Sequence, residues 1–188
     1  LHLKKINFLI YDRLLRKKVY SVSLINLNPK VTKLHYQKKL IKNTKMLLGP
    51  KYFPINTKAK NKKISNKINQ VLIFLGGGNN NLDILDKILK IINISKIKNS
   101  NINFLSMKKI DNSIKKKFIM KYNLNLKFLH NVKNIYDLIQ EADLTIVTSG
   151  SISFESCYFN VPMILTSVAE NQDQLAKSWD KLNAGIYV

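Results

Sequence analysis

The apolar residues of this chain fall into short dense runs that alternate with stretches of helical spacing, most regularly from residue 70 onward. Gln70–Leu75 (QVLIFL) is apolar after its first residue and runs straight into Gly76, Gly77 and Gly78. Leu82–Ile92 follows, with apolar positions recurring every three or four residues, so the segment predicts strand, glycine turn and helix. The alternation continues with strands at Asn101–Ser106, Leu126–Leu129, Leu144–Thr148 and Met163–Leu165. Between and after them, helices are expected at Ser113–Tyr122, Ile135–Glu141, Ser153–Phe159 and Asp173–Asn183. Densely apolar strands alternating with helices imply a parallel sheet covered on both faces through right-handed crossovers.

The first third of the chain is less regular. Lys5–Asp12 (KINFLIYD) and Val19–Leu27 (VYSVSLINL) read as two further buried strands, and the polar stretch Thr32–Asn43 as a helix or loop. In Lys45–Pro54 (KMLLGPKYFP), two prolines and a glycine indicate a tight extended connection. Asn56–Asn69 is a low-complexity polar tract with the composition of a linker. The expected organisation is therefore residues 1–55 as the tail end of a truncated N-terminal α/β domain, 56–69 as a linker and 70–188 as a second α/β domain. The chain starts on Leu rather than Met and stops as a new strand begins at Ala184–Val188, so both ends are expected to be cut.

Composition changes this picture only slightly. The 188 residues carry 32 basic and 11 acidic side chains, a formal charge of +21, which raises the question of nucleic acid. Only Arg13 and Arg16 are arginine, whereas nucleic-acid sites favour the planar arginine fork. Lysine is accompanied by abundant Asn and Ile, the residues of AT-rich codons. The charge is therefore expected on solvated faces without a nucleic-acid partner, with at most a weak steering effect on an anionic substrate. No run approaches the roughly 20 apolar residues of a membrane span, and Lys4 and Lys5 interrupt the first apolar segment, so no span and a cytoplasmic location are expected. The single Cys157 reads as a buried structural thiol. His2, His35 and His130 are too scattered for a metal cluster or a paired general base, so neither metal nor cofactor is expected.

In open parallel sheets, ligands sit beyond the carboxyl ends of the strands. Two strand-to-helix turns stand out there. Gly76-Gly77-Gly78-Asn79 lets backbone N–H groups approach a phosphate at a helix start, although a tight turn alone would also explain it. It is neither the dinucleotide fingerprint nor a P-loop, because the required spacings are absent. The second turn, Thr148-Ser149-Gly150-Ser151, offers amides and a hydroxyl to a diphosphate, with Glu155 placed to accept hydrogen bonds from ribose hydroxyls. A capped helix with a well-placed acid would look the same. The polar cluster Ala169–Gln174 suits recognition of sugar hydroxyls, as it would suit simple capping.

The order of these pieces resembles a known family. Ala142-Asp143, Ser149-Gly150-Ser151, Glu155, Val161-Pro162 and Asn171-Gln172 look like the C-terminal domain of the UDP-N-acetylglucosamine transferases of peptidoglycan synthesis. The sequence looks closer still to the UDP-sugar hydrolases of pseudaminic acid synthesis, which release UDP from a 2,4-diacetamido-2,4,6-trideoxy sugar. Upstream, Leu47–Tyr52 is similar to the interdomain crossover of those hydrolases, and Gly76–Asn79 to their glycine turn.

The resemblance implies a glycosyltransferase-B-like fold whose C-terminal Rossmann-like domain binds a UDP-sugar. Gly77, Gly78, Gly150 and Ser151 would face the diphosphate and Glu155 the ribose. The backbone around His130, Asn131 and Val132 would meet the uracil, and Asn171 and Gln172 the sugar. A hydrolase is the first expectation and a glycosyltransferase the alternative; a basic nucleic-acid module is the third reading. The sequence departs from the hydrolases at Asn79, where they often have Asp, and at Ser149, where they often have Gly. It contains no Gly-x-Gly-His loop to supply a catalytic histidine, so no catalytic residue is assigned and the chain alone is expected to be inactive.

Overall fold

In the computed structural model, the described residues are 9–12, 22–38, 43–57, 66–76 and 81–188. They form two compact units, Leu1–Asn56 and Thr57–Val188. Parts of the expected first strand, second strand and linker, and the glycines Gly77 and Gly78, lie outside the described residues.

The first unit holds three parallel strands in the order β1 (Leu9–Tyr11), β2 (Ser23–Asn26) and β3 (Lys45–Leu48). β3 corrects the sequence expectation, which took Lys45–Pro54 as a connection. The Gly and Pro that suggested a break lie just past the strand: Gly49 turns the chain at φ +98°, and Pro50–Tyr52 forms a short 3-10 turn. The strand itself is fixed by pairing, with Leu24 opposite Met46 and Asn26 opposite Leu48. The polar stretch from Thr32 contributes a 3-10 turn at Lys33–Tyr36, which drops Tyr36 into the small core beside Leu24 and Val31.

Burial of the Tyr36 hydroxyl requires partners. It donates to Asp12 Oδ2 at 2.7 Å and accepts from Asn26 Nδ2 at 2.8 Å, so a polar chain links the ends of β1 and β2. Loss of solvent, chiefly, pushes the Tyr36 hydroxyl well above its ordinary pKa; the Asn26 bond opposes the shift and the Asp12 carboxylate reinforces it.

The second unit follows the alternation read from the sequence: β4 (Gln70–Phe74), α1 (Leu82–Asn93), β5 (Asn101–Leu105), α2 (Asn112–Tyr122), β6 (Leu126–Leu129), α3 (Ile135–Glu141), β7 (Leu144–Thr148), α4 (Ser151–Tyr158), β8 (Met163–Thr166), α5 (Glu170–Asp180) and β9 (Ile186–Tyr187). Its six strands are all parallel in the order β6-β5-β4-β7-β8-β9. The chain steps outward from β4 to β6, and α3 then carries it back to lay β7 beside β4. Strand order therefore reverses between β4 and β7, which opens a crevice at their carboxyl ends.

Alternating residues of the central strands feed the two faces of the sheet. Val71, Ile73, Ile102, Phe104, Leu126, Leu144 and Ile146 pack with Leu85, Leu89 and Ile92 of α1 and with Phe118 and Tyr122 of α2. The phenyl rings of Phe104, Phe118 and Phe128 meet edge to face in this layer. On the other face, Thr145 donates to Ser156 Oγ of α4 at 3.3 Å, and Phe154 of α4 meets the fully buried Trp179 of α5 edge to face. Trp179 Nε1 donates to Ser153 Oγ at 2.9 Å, which satisfies a donor that would otherwise be lost in the core and locks α4 to α5.

Asp143 of the signature, and Gly185 beyond it, have structural explanations. The Asp143 carboxylate accepts from Asn69 N and Gln70 N at 2.9 and 3.0 Å and pins the start of β4 to β7. Gly185 lies so close to β8 that a Cβ there would sit 2.7 Å from Met163 Cγ and 3.0 Å from Met163 O.

Helices α4 and α5 start two and three residues earlier than expected. The first turn of α5 is wholly polar, and α4 opens on a serine that follows a glycine, so apolar periodicity does not mark either start. Among the described residues, no helix is long and apolar enough to cross a membrane, and no group of His, Cys, Asp and Glu could hold a metal ion.

Candidate functional site

The crevice between β4 and β7 is built by two turns. On the β4 side, Gly76 adopts φ +86°, a backbone conformation that calls for glycine, and a Cβ there would touch Thr148 Oγ1 at an ordinary contact distance of 3.4 Å. Asn81, in the left-handed region at the start of α1, closes this turn by donating from Nδ2 to Leu75 O at 2.6 Å.

On the β7 side, Gly150 N donates back to Thr148 O at 2.8 Å, and Ser149 Oγ donates to Gln172 O of α5 at 2.6 Å. Ser153 Oγ donates to Gly150 O at 2.7 Å while it accepts from Trp179, so the α4 turn is anchored to the core rather than to solvent. Gly150 is the N-cap of α4 and brings no side chain to cover the helix start. The first-turn amides and the positive end of the helix dipole thus face the crevice.

These turns enclose a cavity of about 390 Å³ lined by Phe74, Gly76, Ile135, Thr148, Gly150, Ser151, Ile152, Glu155 and Gln172, a size suited to a small molecule. Of the expected binding residues, Gly150, Ser151, Glu155 and Gln172 meet in this one space. Asn131 and Val132 are exposed on the loop leading to α3, whose first residue, Ile135, reaches the cavity wall. Asn131 takes φ +52° there. Asn171 and Gln172 occupy the first turn of α5 rather than the loop before it.

Phe74 and Ile135 of the cavity wall were not singled out in the sequence, and Thr148 and Ile152, though part of the turn that was, carried no role of their own there. Phe74, Ile135 and Thr148 sit at element ends where nothing local distinguishes a wall from a core. A larger cavity of about 440 Å³ lies at the amino ends of β4 and β5, among Asn66, Lys67, Lys96 and Asn99. It has neither a glycine turn nor a helix start, and it opens at the wrong end of a parallel sheet for ligand binding.

Glu155 stands on the second turn of α4, half-buried, and among the described residues no donor reaches its carboxylate. Loss of solvent pushes its pKa above the usual carboxylate range. A buried acid without a partner is a cost that a ligand's hydroxyl groups would relieve. Gln172 accepts from Val168 N through Oε1 at 3.1 Å, which leaves its NH2 end as the polar group to offer a ligand. The neighbouring Asp173 is spent internally. Ser167 Oγ and Tyr187 Oη donate to its Oδ1, the latter at 3.0 Å, and these bonds, Ser167 first, hold the carboxyl below its ordinary pKa. Part of the polar cluster at Ala169–Gln174 therefore ties β8, α5 and β9 together. His130 donates from Nδ1 to Ser106 O at 3.2 Å, and Cys157 is half-buried with a thiol raised by loss of solvent.

Comparison with known proteins places this geometry. A family model described as LpxB, lipid-A-disaccharide synthetase, matches residues 46–173, from β3 into the first turn of α5. Among solved structures, the glycotransferase of kitacinnamycin is 16% identical over 89% of this chain and 42% of its own, with a TM-score of 0.56. MurG of Acinetobacter baumannii is 12% identical over 89% and 47%, with a TM-score of 0.59. A UDP-glucosyltransferase from Polygonum tinctorium is 13% identical over 89% and 40%, with a TM-score of 0.50. At these identities the likeness is one of fold, that of the GT-B glycosyltransferases, and this chain spans less than half the length of each. No curated protein matches the sequence.

Proposed function

The chain belongs to the lipid-A-disaccharide synthetase family, and from that premise we propose that its Thr57–Val188 unit binds the nucleotide-sugar donor of a glycosyl transfer, with a UDP-sugar as the donor. The observation that carries the reading is the cavity at the β4/β7 crevice, where a glycine turn, the uncovered start of α4 and a carboxylate that has no donor among the described residues converge.

The assigned roles follow the chemistry of each group. Gly150 and Ser151 present amides and a hydroxyl to the diphosphate; Gly77 and Gly78, which lie outside the described residues, are assigned to the same group by the sequence resemblance alone. Glu155 accepts from the ribose hydroxyls. Asn131 and Val132 offer backbone to the uracil, and Asn171 and Gln172 face the sugar. Breaking the bond between the anomeric carbon and the diphosphate oxygen leaves negative charge on departing UDP. Amides and a helix dipole already aimed at that position stabilise the charge without reorganisation.

The sequence resemblance put a UDP-sugar hydrolase of pseudaminic acid synthesis first and a transferase second. The family match and the MurG likeness favour the transferase, so we reverse that order. Residues 1–55 would supply part of the N-terminal domain, residues 56–69 the linker to the donor domain, and the acceptor would bind in the N-terminal domain of the whole protein. The two activities separate in one experiment: incubate the full-length protein with UDP-sugar, with and without a sugar acceptor. UDP release that depends on the acceptor, with a disaccharide product, supports transfer. Equal release of UDP and free sugar without an acceptor refutes it in favour of hydrolysis.

A further inference from the structure

The start of α4 is held from inside the protein by a directional hydrogen-bond relay. Trp179, the only tryptophan of the sequence, is 1% exposed, and its Nε1 donates to Ser153 Oγ at 2.9 Å. Ser153 is fully buried, and its hydroxyl donates in turn to Gly150 O at 2.7 Å, where Ser153 N also arrives at 3.2 Å. An indole N–H can only donate and a hydroxyl has one proton, so the direction is fixed from Trp179 through Ser153 to Gly150.

The relay ends on a peptide group that borders the donor cavity. Gly150 C=O and Ser151 N–H belong to one trans peptide and therefore point in opposite directions. With the carbonyl tied to a buried serine, the amide proton is turned away from the core, on the side where Gly150 and Ser151 line the cavity. As the first residue of α4, Ser151 has no carbonyl within the helix to receive that proton. Restraint matters at this position. Glycine permits rotation of the peptide, and the space around Gly150 is open enough that a Cβ there would meet nothing within 4 Å.

We infer that Ser153 and Trp179 are positioning residues for the diphosphate of the donor: by fixing the Gly150–Ser151 peptide, they keep the Ser151 N–H aimed where the diphosphate sits. Hydrogen bonds at the carbonyl also polarise the peptide and strengthen its N–H as a donor. A donor oriented in advance needs no reorganisation when it meets charge. Neither side chain lines the cavity; Trp179 acts through Ser153, and Ser153 through the peptide. The inference rests on the donor-site reading above. Packing between α4 and α5 has a separate basis, the edge-to-face contact of Trp179 with Phe154 at 5.1 Å, which a phenyl ring could keep. Substitution can therefore separate the polar relay from the packing.

The test compares UDP with uridine, which lacks the diphosphate, on the whole chain, using calorimetric titration for UDP and saturation-transfer NMR for uridine. Ser153→Ala is expected to lower UDP affinity roughly tenfold and to leave uridine affinity unchanged. Trp179→Phe loses the N–H but keeps an aromatic ring, so it should shift UDP affinity in the same direction by less and spare uridine. Because the two residues act in series, the double variant should bind UDP no more weakly than Ser153→Ala. Ser178→Ala removes another buried hydroxyl of α5, bonded to Gln174 O at 2.6 Å, and should change neither ligand.

UDP and uridine affinities that fall together in Ser153→Ala overturn the inference and leave the relay a structural tie. Parent-like UDP affinity in that variant overturns it as well, as do losses that simply add in the double variant. Should the variants fail to fold, the parent decides: its Ser151 amide NMR signal should shift with UDP and not with uridine, and a signal unmoved by UDP overturns the inference. A parent that binds no UDP refutes the donor-site reading itself, whereas a parent that binds UDP with Ser153→Ala unaffected refutes this inference alone.

Discussion

Replacing Glu155 by Gln tests the donor site, because the structure assigns opposite signs to its effects on stability and on binding. The carboxylate is half-buried with no donor among the described residues, and loss of solvent raises its pKa. Folding thus favours the protonated acid. That contribution is fully present below the ordinary carboxylate pKa and is lost as pH rises through the raised folded value. At neutral pH the parent folds against the burial of an ionised group, a cost that Gln does not bear. The variant is therefore expected to melt at an equal or higher temperature at pH 7, and the gap should close in acid.

Binding moves the other way. If Glu155 holds the ribose, Gln weakens charge-assisted hydrogen bonds worth about 1.5–3 kcal/mol, so UDP affinity falls roughly 10- to 150-fold. The pH profile carries a second signature. In the parent, affinity should decline as pH falls through the raised Glu155 value. The ratio of parent to variant affinity cancels the titration of UDP itself, so that ratio should shrink in acid. Calorimetric titration with UDP and a thermal melt of the same samples read both quantities. A variant that loses stability yet binds UDP as the parent does would refute the reasoning and leave Glu155 as an ordinary helix acid.

Two further predictions concern the frame around the site. Gly185→Ala would place a Cβ 3.0 Å from Met163 O, a backbone atom that cannot rotate away, so β9 must shift at a cost of about 1–3 kcal/mol in a denaturant melt. Unchanged stability would show that β9 is loosely held. Asp143→Ala removes the acceptor of the Asn69 and Gln70 N–H groups and should cost roughly 1–3 kcal/mol, with Asp143→Asn recovering part of it. A loss of UDP affinity with no change in stability would instead move Asp143 into the binding machinery.

The local part of this protein was legible in its sequence. Apolar runs and helical spacing located every strand and helix from Gln70 to Asp180 to within a few residues, because those patterns report which face of a single element must leave water. The turns at Gly76 and Gly150 and the acid at Glu155 were visible for the same reason, as residue types needed at one bend or one helix start. A polar first turn hid the true start of α5, the Gly-Ser step hid that of α4, and a proline after Gly49 hid β3, whose strand character comes from lying beside β2 rather than from its own composition.

What only the tertiary structure decided was adjacency. Parallel strands pair across long crossovers, and periodicity holds no record of which strand lies beside which. Sequence therefore could not show that β7 returns to β4, that Gly76 meets Thr148, or that Ile135 closes the same cavity as Glu155. Nor could it show that the Asp143 carboxylate pins the start of β4, or that Trp179 reaches the serine anchoring the α4 turn. The sequence determined the elements and the residue chemistry; the order in which the sheet assembles them created the site, because a binding cavity is made of neighbours and neighbours are set by packing.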